Sequence, residues 1–162
     1  MQSTELIKLV KVGYSYEGSD EAVLKDLSAS FESGKVYTIV GESGAGKSTL
    51  LSLISGLDVC RKGDIYYRGK NLKDLDRDEY RAKSVGVIFQ SFNLLLNSTA
   101  VYNIVLSMSI GESKVKGRHA ARNYAYALLD KVGIDRETAD RKIPRLSGGE
   151  QQRVGKIGRA HV

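Results

Sequence analysis

The sequence predicts an α/β fold, because a short strand, a glycine-rich loop and a helix follow one another and a helical region comes later. Residues 36–40 form an apolar run that leads into glycine-rich residues 41–49, and residues 48–54 continue with leucine and isoleucine at helical spacing. From Asn93 onward, strand signals cease and apolar residues recur every three or four positions. This order is typical of an α/β core with a second, helical lobe.

Other strands are predicted where β-branched and aliphatic residues are bounded by Gly, Ser and Asp. These segments are residues 6–12, 23–31, 64–68 and 85–89. The last of them has the aliphatic density of a buried parallel strand and ends at Gln90.

Helices are predicted where apolar residues are spaced for one face of a helix. One begins behind Ser98 or Thr99, either of which can cap it, and a second ends near Gly133. A third starts at Glu150, and a polar helix is predicted over residues 74–83.

Composition excludes several classes of protein. With 162 residues, 41% apolar and 27% charged, the chain has the balance of one soluble globular domain. It has neither a membrane-spanning apolar stretch nor a secretory signal, which predicts a cytosolic location. The single cysteine, Cys60, excludes an internal disulfide and a multi-thiolate metal site. The net charge of +6 comes from scattered residues, so no nucleic-acid partner is expected.

Residues 41–49 read Gly-Glu-Ser-Gly-Ala-Gly-Lys-Ser-Thr and fit the phosphate-loop pattern G-x-x-x-x-G-K-[ST]. In such a loop, backbone N–H groups surround phosphate oxygens, Lys47 reaches the β- and γ-phosphates, and the Ser48 hydroxyl binds Mg²⁺. Thr49 is predicted to add a phosphate contact. A glycine turn that only caps a helix is the alternative, which the preceding strand disfavours. The candidate phosphate-binding residues are Gly41, Ser43, Gly44, Ala45, Gly46, Lys47, Ser48 and Thr49.

A second glycine turn occupies residues 146–153, which read Leu-Ser-Gly-Gly-Glu-Gln-Gln-Arg. Ser147 and Glu150 have the spacing of a helix capping box, so this turn can be a simple cap. Gly148 and Gly149 leave bare backbone at a helix N-terminus, which lets an external phosphate approach closely. Both interpretations apply to the same residues.

With its two glycine turns, the chain resembles the nucleotide-binding subunit of an ATP-binding cassette (ABC) transporter over about residues 5–155. The resemblance implies a P-loop NTPase core, with an N-terminal antiparallel β subdomain and an α-helical subdomain. It implies ATP and Mg²⁺ as cofactors, a second nucleotide-binding subunit in a head-to-tail dimer, and a transmembrane permease subunit at the cytoplasmic face of the membrane. In the family, residues 146–153 of one subunit contact ATP held by the other.

The resemblance also assigns two residues outside the glycine turns. Gln90 matches the Q-loop glutamine, which reaches toward Mg²⁺ and the attacking water, so Gln90 and Lys47 are the candidate catalytic residues. Tyr16 matches the A-loop aromatic residue that stacks on adenine. Tyr14 lies two positions away on the same face of an extended segment, and either ring can instead pack against the sheet.

The loop after Gln90 is the family's contact with the membrane subunit. Its candidate residues are Ser91, Phe92, Asn93, Leu94, Leu95 and Leu96. An exposed cluster of this kind needs a partner to cover it. The alternative is that these side chains line the core between the two lobes.

The predicted organisation is residues 1–92 as the N-terminal part of the ATP-binding core, 93–155 as the helical subdomain, and 156–162 as a non-native tail. Family members continue into a Walker B strand ending in Asp-Glu, a D-loop and a switch histidine, which we do not find in this sequence. We therefore expect the chain to bind ATP without hydrolysing it. After Gly155 the family's apolar helical pattern stops, and Ile-Gly-Arg-Ala-His-Val matches one translated frame of a common sequencing adapter.

Gly-Leu-Asp at 56–58 and Phe-Asn-Leu-Leu at 92–95 most resemble the ATPases of macrolide-export, lipoprotein-release and antimicrobial-peptide resistance systems. The alternative function is a soluble ABC-type ATPase of DNA repair or translation. The repair enzymes often carry long coiled coils or zinc modules between the positions of Gln90 and Ser147, and this chain has only a short segment there.

Overall fold

The computed structural model describes residues 5–19, 21–89, 93–110, 115 and 117–160. The chain divides into two units, Met1–Arg81 and Ala82–Val162. The predicted boundary after residue 92 stays a prediction. The first unit contains β1 (Glu5–Tyr14), β2 (Leu24–Glu32), α1 (Lys47–Ile54), β3 (Lys62–Tyr67), β4 (Lys70–Asn71), a 3₁₀ turn (Leu72–Asp74) and most of α2 (Arg77–Lys83).

The strands form one four-stranded sheet in the order β2-β1-β3-β4, and every neighbouring pair is antiparallel. In the central strand β1, Leu9 lies opposite Ala29 of β2 and Ile65 of β3. Leu9 and Ile65 are almost fully buried, whereas Val10 is exposed, so the sheet has one apolar face. The strands predicted at 6–12, 23–31 and 64–68 are confirmed, and they make up the expected antiparallel β subdomain.

A bulge interrupts β1 between Val10 and Gly13, where the register with β3 shifts. Lys11 takes a positive φ of 47° in this bulge. Gly63 of β3 passes so close that an added Cβ would lie 2.2 Å from the Lys11 carbonyl oxygen. Only glycine fits there, and the bulge bends the strand just before Tyr14.

The C-terminal end of α1 is held by α2. The buried Tyr80 hydroxyl donates to the Ile54 carbonyl at 2.9 Å, and the Arg81 guanidinium donates to the Gly56 carbonyl at 2.6 Å. Burial raises the pKa of Tyr80 to about 12 because it disfavours the phenolate. The helix predicted over 74–83 begins at Arg77 instead, because the Asp76 carboxylate caps it by accepting from the N–H groups of Asp78 and Glu79.

The second unit is helical. Its elements are α3 (Ala100–Ile110), α4 (Arg118–Asp130), α5 (Arg136–Ala139), a 3₁₀ turn (Ile143–Arg145) and α6 (Gly148–Ala160). Their apolar faces meet in one core, whose buried members include Val101, Ile104, Leu128, Leu129, Ile134, Ile143, Leu146 and Val154. Of the two predicted caps for α3, Thr99 is the one whose hydroxyl accepts from a first-turn N–H, that of Tyr102 at 3.2 Å.

Two predicted strands and one predicted break are wrong. Residues 36–40 and 85–89 form no strand, and Val36, Val40 and Ile88 are exposed. A buried parallel strand needs hydrogen-bonded neighbours, and within the described ranges the only sheet is the antiparallel one. The helical pattern does not stop after Gly155: α6 continues to Ala160, since Ile157 packs against the helical core and Gly158 fits closely beside Ile104.

Candidate functional site

The glycine loop, residues 41–46, adopts a conformation that requires glycine. Gly44 and Gly46 have φ angles of 84° and 81°. A Cβ added at Gly46 would lie 2.9 Å from the Leu24 side chain and 3.0 Å from that of Val23. The loop therefore packs directly against the start of β2, which fixes where α1 begins.

Lys47, the first residue of α1, folds back over this loop. Its ammonium donates to the carbonyl oxygens of Gly41 at 2.9 Å and Glu42 at 2.6 Å. Gly46 supplies no side-chain cap, the first turn of α1 contains no acidic residue, and Ser48 is exposed. The positive end of the helix thus has no anion of its own from this turn, and a phosphate is the natural group to complete it.

Tyr16 lies beside the same helix. Its hydroxyl is 2.7 Å from the hydroxyl of buried Thr49, and about half of the residue, 53%, remains exposed. Tyr14 is buried and meets Tyr16 edge to face, with ring centroids 5.2 Å apart. The structure therefore separates the two candidates: Tyr14 packs against the sheet and Tyr16 is open to a ligand. Thr49 is engaged by Tyr16, and its contact with phosphate stays a prediction.

Asp58 is a residue of this region that the sequence analysis missed. It accepts a hydrogen bond from the Tyr14 hydroxyl. The only sequence signal was the tripeptide Gly-Leu-Asp at 56–58, which served to compare subgroups rather than to place a side chain.

At the start of α6, Ser147 and Glu150 form the predicted capping box. The Ser147 N–H and hydroxyl donate to the Glu150 carboxylate at 2.7 and 2.9 Å, and the Glu150 N–H donates to the Ser147 hydroxyl at 3.3 Å. These donors, the backbone N–H first, hold the pKa of Glu150 below its usual range.

Gly148 and Gly149 are both exposed, and a Cβ on Gly148 would meet nothing within 4 Å. Packing therefore does not require glycine at 148. The buried Leu146 anchors the turn, and the Gln151 amide donates to the carbonyls of Ile143 at 3.2 Å and Leu146 at 3.0 Å. The cap is confirmed, the bare backbone is accessible, and phosphate contact at this turn stays a prediction.

The capping box predicts a pH dependence of stability. Because the folded state lowers the pKa of Glu150, ionised Glu150 stabilises the fold above the ordinary glutamate value of about 4.3, and this contribution is lost as pH falls through the lower, folded-state pKa. In Glu150→Gln the amide oxygen still accepts from Ser147 but does not titrate. Circular dichroism melts from pH 7 to 3 should show a steeper fall in Tm for the unmodified chain than for Glu150→Gln.

Glu17→Gln, an exposed residue of the first unit, is the matched control and should follow the unmodified chain. Identical acid profiles for Glu150→Gln and the unmodified chain would contradict the assignment.

The segment after the predicted Q-loop is only partly described. Gln90, Ser91 and Phe92 lie outside the described residues. The side chain of buried Asn103 accepts from the Leu95 N–H at 2.8 Å and donates to its carbonyl at 3.3 Å, which holds the segment against α3. Leu94 packs against the helical core, whereas Leu95 and Leu96 are 47% and 58% exposed, so each of the two alternatives holds for part of the segment.

The family model described as ABC transporter matches residues 24–162, which include both glycine turns. The chain belongs to the ABC transporter family. Among the described residues, no ABC helix is both long and apolar enough to cross a membrane.

Relatives within the ABC family agree with the match. YclH of Bacillus subtilis (strain 168), an uncharacterized ABC transporter ATP-binding protein, is 42% identical over 149 residues, covering 92% of this chain and 65% of YclH. The lipoprotein-releasing system ATP-binding protein LolD of Francisella tularensis subsp. holarctica (strain OSU18) is 37% identical over 158 residues, covering 96% and 67%. The predicted resemblance to lipoprotein-release ATPases is confirmed, and the chain spans about two thirds of the length of these curated relatives.

A solved structure confirms the fold class. The ATP-binding cassette MJ0796, in a dimeric post-hydrolysis state bound to ADP and Pi, has a TM-score of 0.84 and 32% identity, covering 96% of this chain and 68% of that one. The ABC chain therefore has the P-loop ATPase fold that its two glycine turns indicated.

Proposed function

We propose that this chain binds MgATP through residues 41–49 and that the whole protein hydrolyses ATP to drive transport through a membrane partner. The observation that carries the proposal is the Lys47 ammonium, which lies over a glycine loop at an α1 N-terminus without a side-chain cap. This arrangement offers a mobile cation and several N–H donors to a triphosphate. Family membership supports ATP as the nucleotide.

The residues present fit the metal and the base as well. The exposed Ser48 hydroxyl follows Lys47 directly and would hold Mg²⁺, with Gln90 as a further ligand. Mg²⁺ would neutralise charge on the phosphates. The half-exposed Tyr16 ring lies beside α1 and would stack on adenine.

The second glycine turn supports a dimer. Exposed Ser147, Gly148 and Gly149 at the start of α6 would contact the γ-phosphate of ATP held by a second copy. Exposed Leu95 and Leu96 would contact the membrane partner, which would place the protein at the cytoplasmic face of the membrane. The chain spans only part of its relatives, so these partners belong to the proposal. The relatives reported above give no support to a role in DNA repair or translation.

Equilibrium binding and phosphate release, measured on the same preparation, test the proposal. Titration calorimetry should detect ATP binding to the 162-residue chain, tighter with Mg²⁺ than with EDTA. Phosphate release should stay at background, because we expect binding without hydrolysis from these residues. Absence of ATP binding to a folded chain would overturn the proposal, and turnover by this chain would overturn the expectation of binding alone.

A further inference from the structure

Tyr14 joins two parts of the first unit that are distant in sequence. It ends β1, is buried, and donates its hydroxyl hydrogen to the carboxylate of Asp58, which lies in the turn after α1. The bond therefore ties the central strand of the sheet to the helix that follows the glycine loop.

The Asp58 carboxylate is oriented by a second contact. Its other oxygen accepts from the Val59 N–H at 2.7 Å. The Tyr14 hydroxyl is the main cause of a lowered pKa at Asp58, and Arg61 and Arg77 lower this pKa further. The carboxylate is thus ionised at neutral pH and accepts from both donors in a fixed orientation.

Tyr14 in turn fixes Tyr16. The two rings are perpendicular, at 88°, with centroids 5.2 Å apart, which is a favourable edge-to-face geometry. The far end of Tyr16 lies 2.7 Å from the Thr49 hydroxyl of α1. Tyr16 is therefore held at its ring by Tyr14 and at its hydroxyl by Thr49, although about half of it is exposed.

We propose that Tyr14 and Asp58 form a positioning pair that orients the Tyr16 ring and thereby sets the affinity for the nucleotide base, without touching the nucleotide. The inference rests on the proposed function, in which the base stacks on Tyr16. An exposed ring that is already ordered loses less conformational freedom when a base stacks on it, so pre-ordering raises affinity for ligands that carry a base. The triphosphate contacts residues 41–49 and gains nothing from this pair.

The experiment compares ATP with inorganic tripolyphosphate, both with Mg²⁺, because the second ligand lacks the base. Tyr14→Phe keeps the ring that contacts Tyr16 and removes the hydroxyl. We expect about three- to tenfold weaker binding of ATP and unchanged binding of tripolyphosphate. Asp58→Ala should give the same split, whereas Asp58→Asn, whose amide oxygen can still accept from Tyr14, should retain most of the affinity for ATP.

A double variant separates positioning from general destabilisation. In a Tyr16→Ala background, Tyr14→Phe should not weaken ATP binding further, because the pair acts through Tyr16. Tyr67→Phe, on β3 of the same sheet, is the matched control and should leave both affinities unchanged. Melting curves establish that each variant is folded.

The outcomes distinguish the two proposals. Failure of the unmodified chain to bind either ligand would overturn the proposed function, and the positioning pair with it. Binding of both ligands, with the same ratio of affinities in Tyr14→Phe as in the unmodified chain, would overturn the positioning pair alone. Equal weakening of both ligands would also overturn it, because a purely structural role predicts that result.

Discussion

Replacing Lys47 by alanine is expected to weaken ATP binding by about ten- to a hundredfold. The variant removes an ammonium from a loop built around it, and hydrogen bonds between charged groups contribute about 1.5–3 kcal/mol each. The loop itself should persist, because glycine at 44 and 46 and the contact of Gly46 with Leu24 do not depend on the lysine side chain. Titration calorimetry with MgATP measures the loss directly.

Lys70→Ala is the matched control for this prediction. Lys70 is exposed on β4 in the same unit, and its removal changes the net charge equally. Equal weakening by the two variants would mean that ATP responds to overall charge and not to the geometry of the loop. Unchanged affinity in Lys47→Ala would remove the glycine loop from the binding site.

The second large effect is expected from Leu128→Ala in the core of the helical unit. Leu128 on α4 is fully buried, and truncation of such a leucine costs about 2–5 kcal/mol in the free energy of unfolding, through lost burial and the remaining cavity. Urea unfolding followed by circular dichroism at 222 nm measures the change. For a chain of ordinary stability, about 5–15 kcal/mol in total, this loss is large.

Tyr124→Ala lies one turn earlier on the same helix and serves as the comparison. Tyr124 is 41% exposed, so its loss should change stability by about 0.5 kcal/mol or less. Similar destabilisation by both variants would contradict the assignment of Leu128 to the core.

The sequence predicted best those features that depend on nearby residues. The glycine loop was found because Gly44 and Gly46 occupy backbone conformations that glycine favours, and the capping box because Ser147 and Glu150 are only three positions apart. The antiparallel strands were found because their apolar alternation and bounding turns are local as well.

Features that depend on distant partners were predicted poorly. The apolar density of residues 36–40 and 85–89 is typical of buried parallel strands, but such density does not reveal whether neighbouring strands are present. Asp58 was missed because its partner, Tyr14, is 44 positions away, and no spacing rule joins an aromatic residue to a carboxylate over that distance. The Tyr16–Thr49 contact spans 33 positions and was missed for the same reason.

Both glycine turns satisfy their key groups internally before any nucleotide arrives. The Lys47 ammonium has the carbonyl oxygens of Gly41 and Glu42, and the Ser147 donors have the Glu150 carboxylate. Nucleotide capture is therefore a ligand exchange: one incoming phosphate must replace two carbonyls, and another must displace a like-charged carboxylate. The net affinity is a difference between similar energies, so ATP can be held without being trapped, and departing phosphates leave groups that re-pair at once.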